Sequence, residues 1–163
     1  SAVHIPLPSD SSTTYGAFSP DGGMLSYTES HALTEPSQFF LARSDAAGRL
    51  LFTKMLKAAD INVRVNCALL HNDGSTTLYG TVTRTARKYF AVFRLDLDAG
   101  GNIIARDIRD FTTRATYLYA VRLDALGNAY VVAQDYKHPI AVVPFDALPV
   151  CDNPGLTLTN GGI

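Results

Sequence analysis

The 163-residue chain has no tryptophan, only two cysteines and two methionines, and no net surplus of charge, with 14 Lys plus Arg against 15 Asp plus Glu. A chain without excess positive charge lacks the electrostatic footprint of a nucleic-acid binder, so no polyanionic partner is implied. Long apolar runs are missing too. The longest cover about five residues, as from Ala129 to Ala133, against the ~20 that a bilayer-crossing helix needs, so no membrane insertion is expected. Nothing near Ser1 combines a basic stretch with an apolar one, so any export signal has been removed or lies outside these residues. Cys67 and Cys151 form no CxxC pair and have no histidine at metal-ligand spacing. Their pairing is left open, and Cys67 reads as a small buried side chain within Val65-Asn66-Cys67-Ala68-Leu69-Leu70. No segment carries a sustained i, i+3, i+4, i+7 apolar stripe, so little helix is expected.

What the chain does have is 47% hydrophobic residues, 18% charged ones, eight Tyr and eight Phe, a composition that excludes a disordered tail and a coiled coil. It also has a repeat. Ala17-Phe18-Ser19-Pro20-Asp21-Gly22-Gly23 returns as Ala68 to Ser75 and again as Ala120 to Asn128, which spaces Gly22, Gly74 and Gly127 by 52 and 53 positions. A second marker keeps phase: Phe40-Leu41-Ala42-Arg43-Ser44-Asp45 aligns with Ala91-Val92-Phe93-Arg94-Leu95-Asp96 and then with Val142-Val143-Pro144-Phe145-Asp146. On this frame Pro144 stands where Arg43 and Arg94 stood, and Phe40 and Phe93 are expected in like surroundings. A fixed period of about this length signals a repeat architecture.

Within each unit, β-branched and aromatic segments alternate with Gly, Asp, Asn and Pro, which reads as strands and turns. Strands are expected at 15–19, 23–30, 37–45 and 50–56, then at 65–72, 76–83, 89–96 and 103–108, then at 117–124, 128–135 and 140–146. Asp73-Gly74 and Gly127-Asn128 supply the positive φ that tight hairpins require. Tyr89 to Asp96 and Ala129 to Ala133 are apolar on both faces, so their sheets should be covered on both sides. Four-stranded sheets repeated at this period and stacked face to face describe an all-β protein built of β-propeller blades. The blade units are 15–61, 62–113 and 114–146, preceded by a lead-in over 1–14 and followed over 147–163 by a connection or the start of a further strand. Three blades fall short of the four to eight of closed propellers. A two-sheet β-sandwich is the alternative. An exposed edge of this length invites a partner strand.

The run of turn glycine, apolar strand, Asp-x-x-Gly-Asn or Asp-x-x-Gly-Arg turn and further apolar strand resembles the propeller-type repeats of large secreted bacterial surface proteins. Asp45 to Arg49, Asp96 to Asn102 and Asp124 to Asn128 carry the likeness, which covers roughly residues 15–146. The resemblance implies a platform or interaction module, secreted or at the cell surface, for which catalysis is uncommon.

Sites of chemistry are sparse. Asp96-x-Asp98-x-Gly100-Gly101-Asn102 has alternating oxygen ligands around a glycine turn, as a calcium loop does, but no glutamate closes it, and it is read as an ordinary hairpin. His4, His31, His71 and His138 form no HxH or HExxH pair. His71-Asn72-Asp73 beside Ser75 has the residue types of a triad, but no Gly-x-Ser-x-Gly is present, and it is read as a polar loop. Arg84, Arg87 and Lys88 make a local cationic turn. Tyr15, Tyr27, Tyr79, Tyr117, Tyr119, Tyr130 and Tyr136 would stack sugars if several crowned one face. No catalytic, metal or cofactor residue is assigned, and no cofactor is expected. The expected function is a non-catalytic scaffold that binds a protein partner, a glycan or the remaining blades of the same propeller, through loops or strand pairing. A glycan-active propeller enzyme with its catalytic groups in other blades and a structural spacer stalk are the alternatives.

Overall fold

The computed structural model describes residues 12–30, 38–58, 62–84, 89–111, 115–135, 137–151 and 158–161. The only helical turn among them is a 3-10 turn, Phe145–Ala147, and none of their helices is long and apolar enough to cross a membrane. Sheet 1 holds β1 (Ser12–Phe18), β2 (Met24–Ser30), β3 (Gln38–Ser44) and β4 (Leu50–Ala58) in chain order. Sheet 2 holds β5 (Asn62–Leu70), β6 (Thr76–Arg84), β7 (Tyr89–Leu97) and β8 (Ile103–Asp110) in the same order. Sheet 3 holds β9 (Ala115–Leu123), β10 (Ala129–Asp135) and β11 (Ala141–Pro144). All pairings are antiparallel. The protein is therefore all-β, with three repeated antiparallel sheets whose consecutive strands number four, four and three, sheet 1 gaining a fifth strand from the end of the chain.

The strand pattern explains the stacking. Side chains alternate across a strand, so in β2 and β3 the buried Leu25, Tyr27, Phe39 and Leu41 share one face, here called the front of sheet 1. That face packs on the rear of sheet 2, where Val63, Val65, Leu78, Val82, Phe93 and Leu95 complete a first core. The front of sheet 2 presents Tyr79 and Val92 to Leu118, Val121, Val131 and Ala133 of sheet 3, which form a second core. The double-sided apolar pattern of β7 thus has its cause: sheet 2 is covered on both sides. Each fully buried Val, Leu or Phe contributes ~1.5–3 kcal/mol relative to exposure, so these two cores dominate the fold.

The second marker of the repeat is corrected by two residues. The turn after β3 begins at Asp45 and the turn after β7 begins at Asp98, since these are the residues whose N–H and C=O close the two turns. Arg43 is therefore equivalent to Asp96 rather than to Arg94, and the β-bulge between Arg43 and Ser44 recurs between Asp96 and Leu97. Phe40 and Phe93 hold equivalent third-strand positions on the rear faces of their sheets. Their surroundings differ in coverage: Phe93 is 0% exposed between sheets 1 and 2, while Phe40 is only half-buried, because no described sheet stacks on the rear of sheet 1.

After β11 the backbone turns back. Phe145 stacks edge-on against Tyr79 at 5.5 Å between ring centres. Arg109, held by Asp107 at 2.7 Å, lies over the Phe145 ring and donates to the Leu148 carbonyl. Val150 then bridges to Arg109 of β8, with the Cys151 N–H donating to Ile108. Further on, β12 (Leu158–Gly161) pairs with β4 and extends sheet 1 at its outer edge. One edge of each sheet, β4 in sheet 1 and part of β8 in sheet 2, is in this way lined by the chain itself, which blunts the pairing hazard of a bare outer strand there.

Candidate functional site

The best-defined surface is one rim built of five hairpin turns, which join β1–β2, β3–β4, β5–β6, β7–β8 and β9–β10. Each repeats the same two bonds: Gly22, Gly48, Gly74, Gly101 and Gly127 donate to the carbonyl three residues back, and the residue at that carbonyl donates to the one after the glycine. The five glycines have φ from +78° to +89°. This is a type I turn followed by a left-handed bulge residue, a geometry that glycine adopts without the Cβ penalty of other residues.

One aspartate serves each turn. Asp45, Asp98 and Asp124 occupy the first position and accept the N–H groups of the third and fifth residues, as Asp98 does from Gly100 at 2.9 Å and Asn102 at 2.8 Å. Asp21 and Asp73 occupy the third position and accept the N–H and hydroxyl groups around them, Ser75 Oγ donating to Asp73 at 2.6 Å. These bonds favour the ionised carboxylate and hold all five below the ordinary aspartate value. The leading causes are the Ser19 hydroxyl for Asp21, the Arg49 N–H for Asp45, the Ser75 hydroxyl for Asp73, and the Asn102 and Asn128 side chains for Asp98 and Asp124.

This geometry disposes of the calcium-like pattern. Asp98 is spent on its own turn. Asp96, two residues earlier in β7, is bound by Arg94 at 2.9 Å and by Thr77. No group of three or more His, Cys, Asp or Glu able to hold a metal ion occurs among the described residues. The triad-like residues also separate: Ser75 turns to Asp73, whereas His71 Nε2 meets Thr77 Oγ1 at 2.9 Å. The Thr77 hydroxyl gives its one hydrogen to Asp96 at 2.8 Å, so the imidazole donates from Nε2. His71, Thr77, Asp96 and Arg94 form a polar rung across β6 and β7. Thr77 is 5% exposed and its hydroxyl receives a hydrogen from His71 instead of giving one to it, so the imidazole is not placed as the base of a His-activated nucleophile. Sequence spacing gave no sign of this rung, because its members meet across the sheet.

Polar contacts also fasten sheet to sheet at the rim. Arg43, nearly fully buried, reaches from sheet 1 to the Gly74 and Ser75 carbonyls and Thr76 Oγ1 of sheet 2. Lys54 donates to Asn102 at 3.0 Å. Between sheets 2 and 3, Asn66 accepts the Val121 N–H at 3.1 Å, and the neighbouring Cys67 thiol is pushed up to about 11 by burial. Cys67 and Cys151 do not form a disulfide.

Of the other candidates, Arg87 and Lys88 lie outside the described residues, as do His4, His31 and Tyr136. Tyr27 and Tyr79 are buried. Tyr117 and Tyr119 are 56% and 50% exposed, with ring centres 5.1 Å apart, on the front of sheet 3. Tyr130 and Val132 pair with Arg122, Pro144, Ala120 and Val142 on that same face. The opposite end of the stack, the rear of sheet 1, carries Gly16, Phe18, Met24, Ser26, Thr28, Phe40, Ala42, Ser44, Thr53 and Met55 by register; Phe18 and Met24 are exposed, Thr28 is buried and Phe40 and Met55 are half-buried. A depression of about 240 Å³ there is lined by Met24, Ser26, Ala42, Arg43, Ser44, Gly48 and Leu50. Both outermost faces thus present apolar side chains to solvent, as do Leu126 at the rim, Ile104 of β8, Ile140 and Val150. No family model, curated protein or solved structure matches the chain.

Proposed function

We propose that the chain is a non-catalytic, propeller-type scaffold of an exported bacterial surface protein, its sheets serving as blades and its open faces and edge serving to hold a protein partner. The observation that carries this reading is the stack itself: sheets of one design pack front to rear through two apolar cores, and no described sheet covers either end face. Exposed apolar patches on a folded protein mark interaction sites. The edge of β11, where Val142 is 60% exposed, adds a position for strand pairing. The rim supports the same reading from the other side, since its five carboxylates are engaged in holding turns and keep the scaffold rigid. A glycan partner is the second reading, favoured by the exposed Tyr117–Tyr119 pair.

The test is hydroxyl-radical footprinting of the protein in its native preparation, with each rate normalised to the intrinsic reactivity of the residue type. A working interaction face predicts Tyr117 and Tyr119 labelled well below the level their exposure dictates, with Leu126 at the rim, 87% exposed, labelled in full. Tyrosine rates that match bare exposure would remove the reading.

A further inference from the structure

We infer that the open front of sheet 3 docks head-to-tail on the open rear of sheet 1 in a second copy of this chain, and that two such contacts close six sheets into one ring. This rests on the scaffold reading and names its partner.

The contact already exists twice within the chain. Sheet 1 front lies on sheet 2 rear and sheet 2 front on sheet 3 rear, and in both cases the first strand of the later sheet sits under the earlier one, β5 under β1 and β2, β9 under β5 and β6. A second copy continues that established interface with the same offset, which sets β10 over its β1 and β11 over the depression.

The rear of sheet 1 retains the shape of an unfilled acceptor. Gly48 and Gly101 are equivalent turn glycines. A Cβ on Gly101 would strike the Phe52 ring at 2.7 Å and Lys54 at 2.8 Å, because sheet 1 presses on it. A Cβ on Gly48 would meet nothing within 4 Å, and Gly48 lines the depression beside the small Ser26, Ala42 and Ser44. The front of sheet 3 offers projecting groups to match: Val142 and the two tyrosines are 50–60% exposed. Charge agrees as well. Arg122 is exposed beside the last turn and faces the rim that in a second copy carries Asp21, whose carboxyl is held below its ordinary value by the Ser19 hydroxyl; Asp45 there is already paired with Arg49 at 3.0 Å.

Symmetry fixes the number. A head-to-tail contact generates a ring if the rotation closes, and closed rings of four-stranded blades hold roughly four to eight. With three sheets per chain, two copies are the only whole number that falls in that range.

The experiment is light scattering of the purified chain from micromolar concentration upward, together with two charge variants, Val142→Glu at an exposed position of sheet 3 and Ala42→Arg at a half-buried position lining the depression of sheet 1. The expected wild-type mass is twice the 17.6 kDa of one chain. Each variant alone should halve that mass, and an equimolar mixture should regain the dimer, since one intact interface remains and Glu then faces Arg in the other. Circular dichroism checks that each variant is folded, and Tyr119→Asp with Ser44→Arg repeats the test should either fail to fold. A monomeric wild type, an Ala42→Arg dimer as stable as wild type, or a mixture that stays monomeric would each overturn the ring. A monomeric chain whose Tyr117 and Tyr119 are still shielded in the native preparation would sink the second copy and leave the scaffold reading standing.

Discussion

Sheet 2 and sheet 1 have the same order of their first four strands, the same two hairpin turns and the same bulge, yet described sheets cover both faces of sheet 2 and only one face of sheet 1. Phe93 and Phe40 make the comparison at a single position. Both lie in the third strand of their sheet and both point rearward, but Phe93 is fully enclosed and Phe40 half-enclosed. The lesson is that the repeat encodes the sheet, while the neighbour decides the energy of each residue in it.

The largest effect should come from that pair. Phe93→Ala opens a cavity between sheets and is expected to cost about 3–5 kcal/mol in urea unfolding, against roughly 1–2 kcal/mol for the half-buried Phe40→Ala. Equal losses would show that the rear of sheet 1 is covered as well as the rear of sheet 2. Under the ring, the Phe40→Ala deficit also grows with protein concentration and that of Phe93→Ala does not.

Next come the turn glycines. Gly48→Ala should cost about 1–2 kcal/mol, the penalty of a left-handed conformation with a side chain. Gly101→Ala carries the same strain and also drives a methyl into Phe52, adding about 1–3 kcal/mol of overpacking. If the two variants unfold at the same denaturant concentration, the sheet 1–sheet 2 contact is looser than these distances state.

Acid should treat both sheets alike. The turn carboxylates have folded values below the unfolded ~3.9, so their contribution is fully present above that value and is lost as pH falls through the folded values. Asp45→Asn and Asp98→Asn should each be less stable than wild type at neutral pH, with the gap closing in acid, and the two gaps should be similar because each carboxylate takes its leading hydrogen bond from within its own turn. A larger gap for Asp98 would tie turn strength to stacking; urea midpoints across pH 2–7 decide it.

The smallest effect concerns reactivity. With its thiol raised to about 11 by burial, Cys67 should react with a thiolate-directed reagent at mildly alkaline pH about a hundredfold more slowly in the folded chain than in urea, where a free thiol near ~8.5 supplies far more thiolate. Equal rates would show that the sheet 2–sheet 3 contact opens readily.

Much of the fold was legible because its signals are local. The β2, β6 and β10 strands fall within one or two residues of where alternation and turn residues place them, and the Asp-Gly and Gly-Asn pairs mark real hairpins. The second marker went astray at Asp96 because two aspartates of one strand end, Asp96 and Asp98, satisfy the same spacing, and only hydrogen bonding tells which opens the turn. The polar rung through His71, Thr77, Asp96 and Arg94 stayed hidden since its partners are brought together by the register of β6 on β7.

The sequence by itself determined the strands, the five turns and the period, because each depends on residues within a few positions: side-chain alternation, a glycine that accepts positive φ, an aspartate within reach of its own backbone. Tertiary structure alone decided which face of each strand is front, where Arg43 finds its carbonyls, how Phe145 and β12 fold back on earlier sheets, and which faces stay open. Those outcomes depend on contacts between residues some 30 to 100 positions apart, as from Arg43 to Gly74 and from Met55 to Gly161, and a linear pattern carries no record of what will lie across the gap.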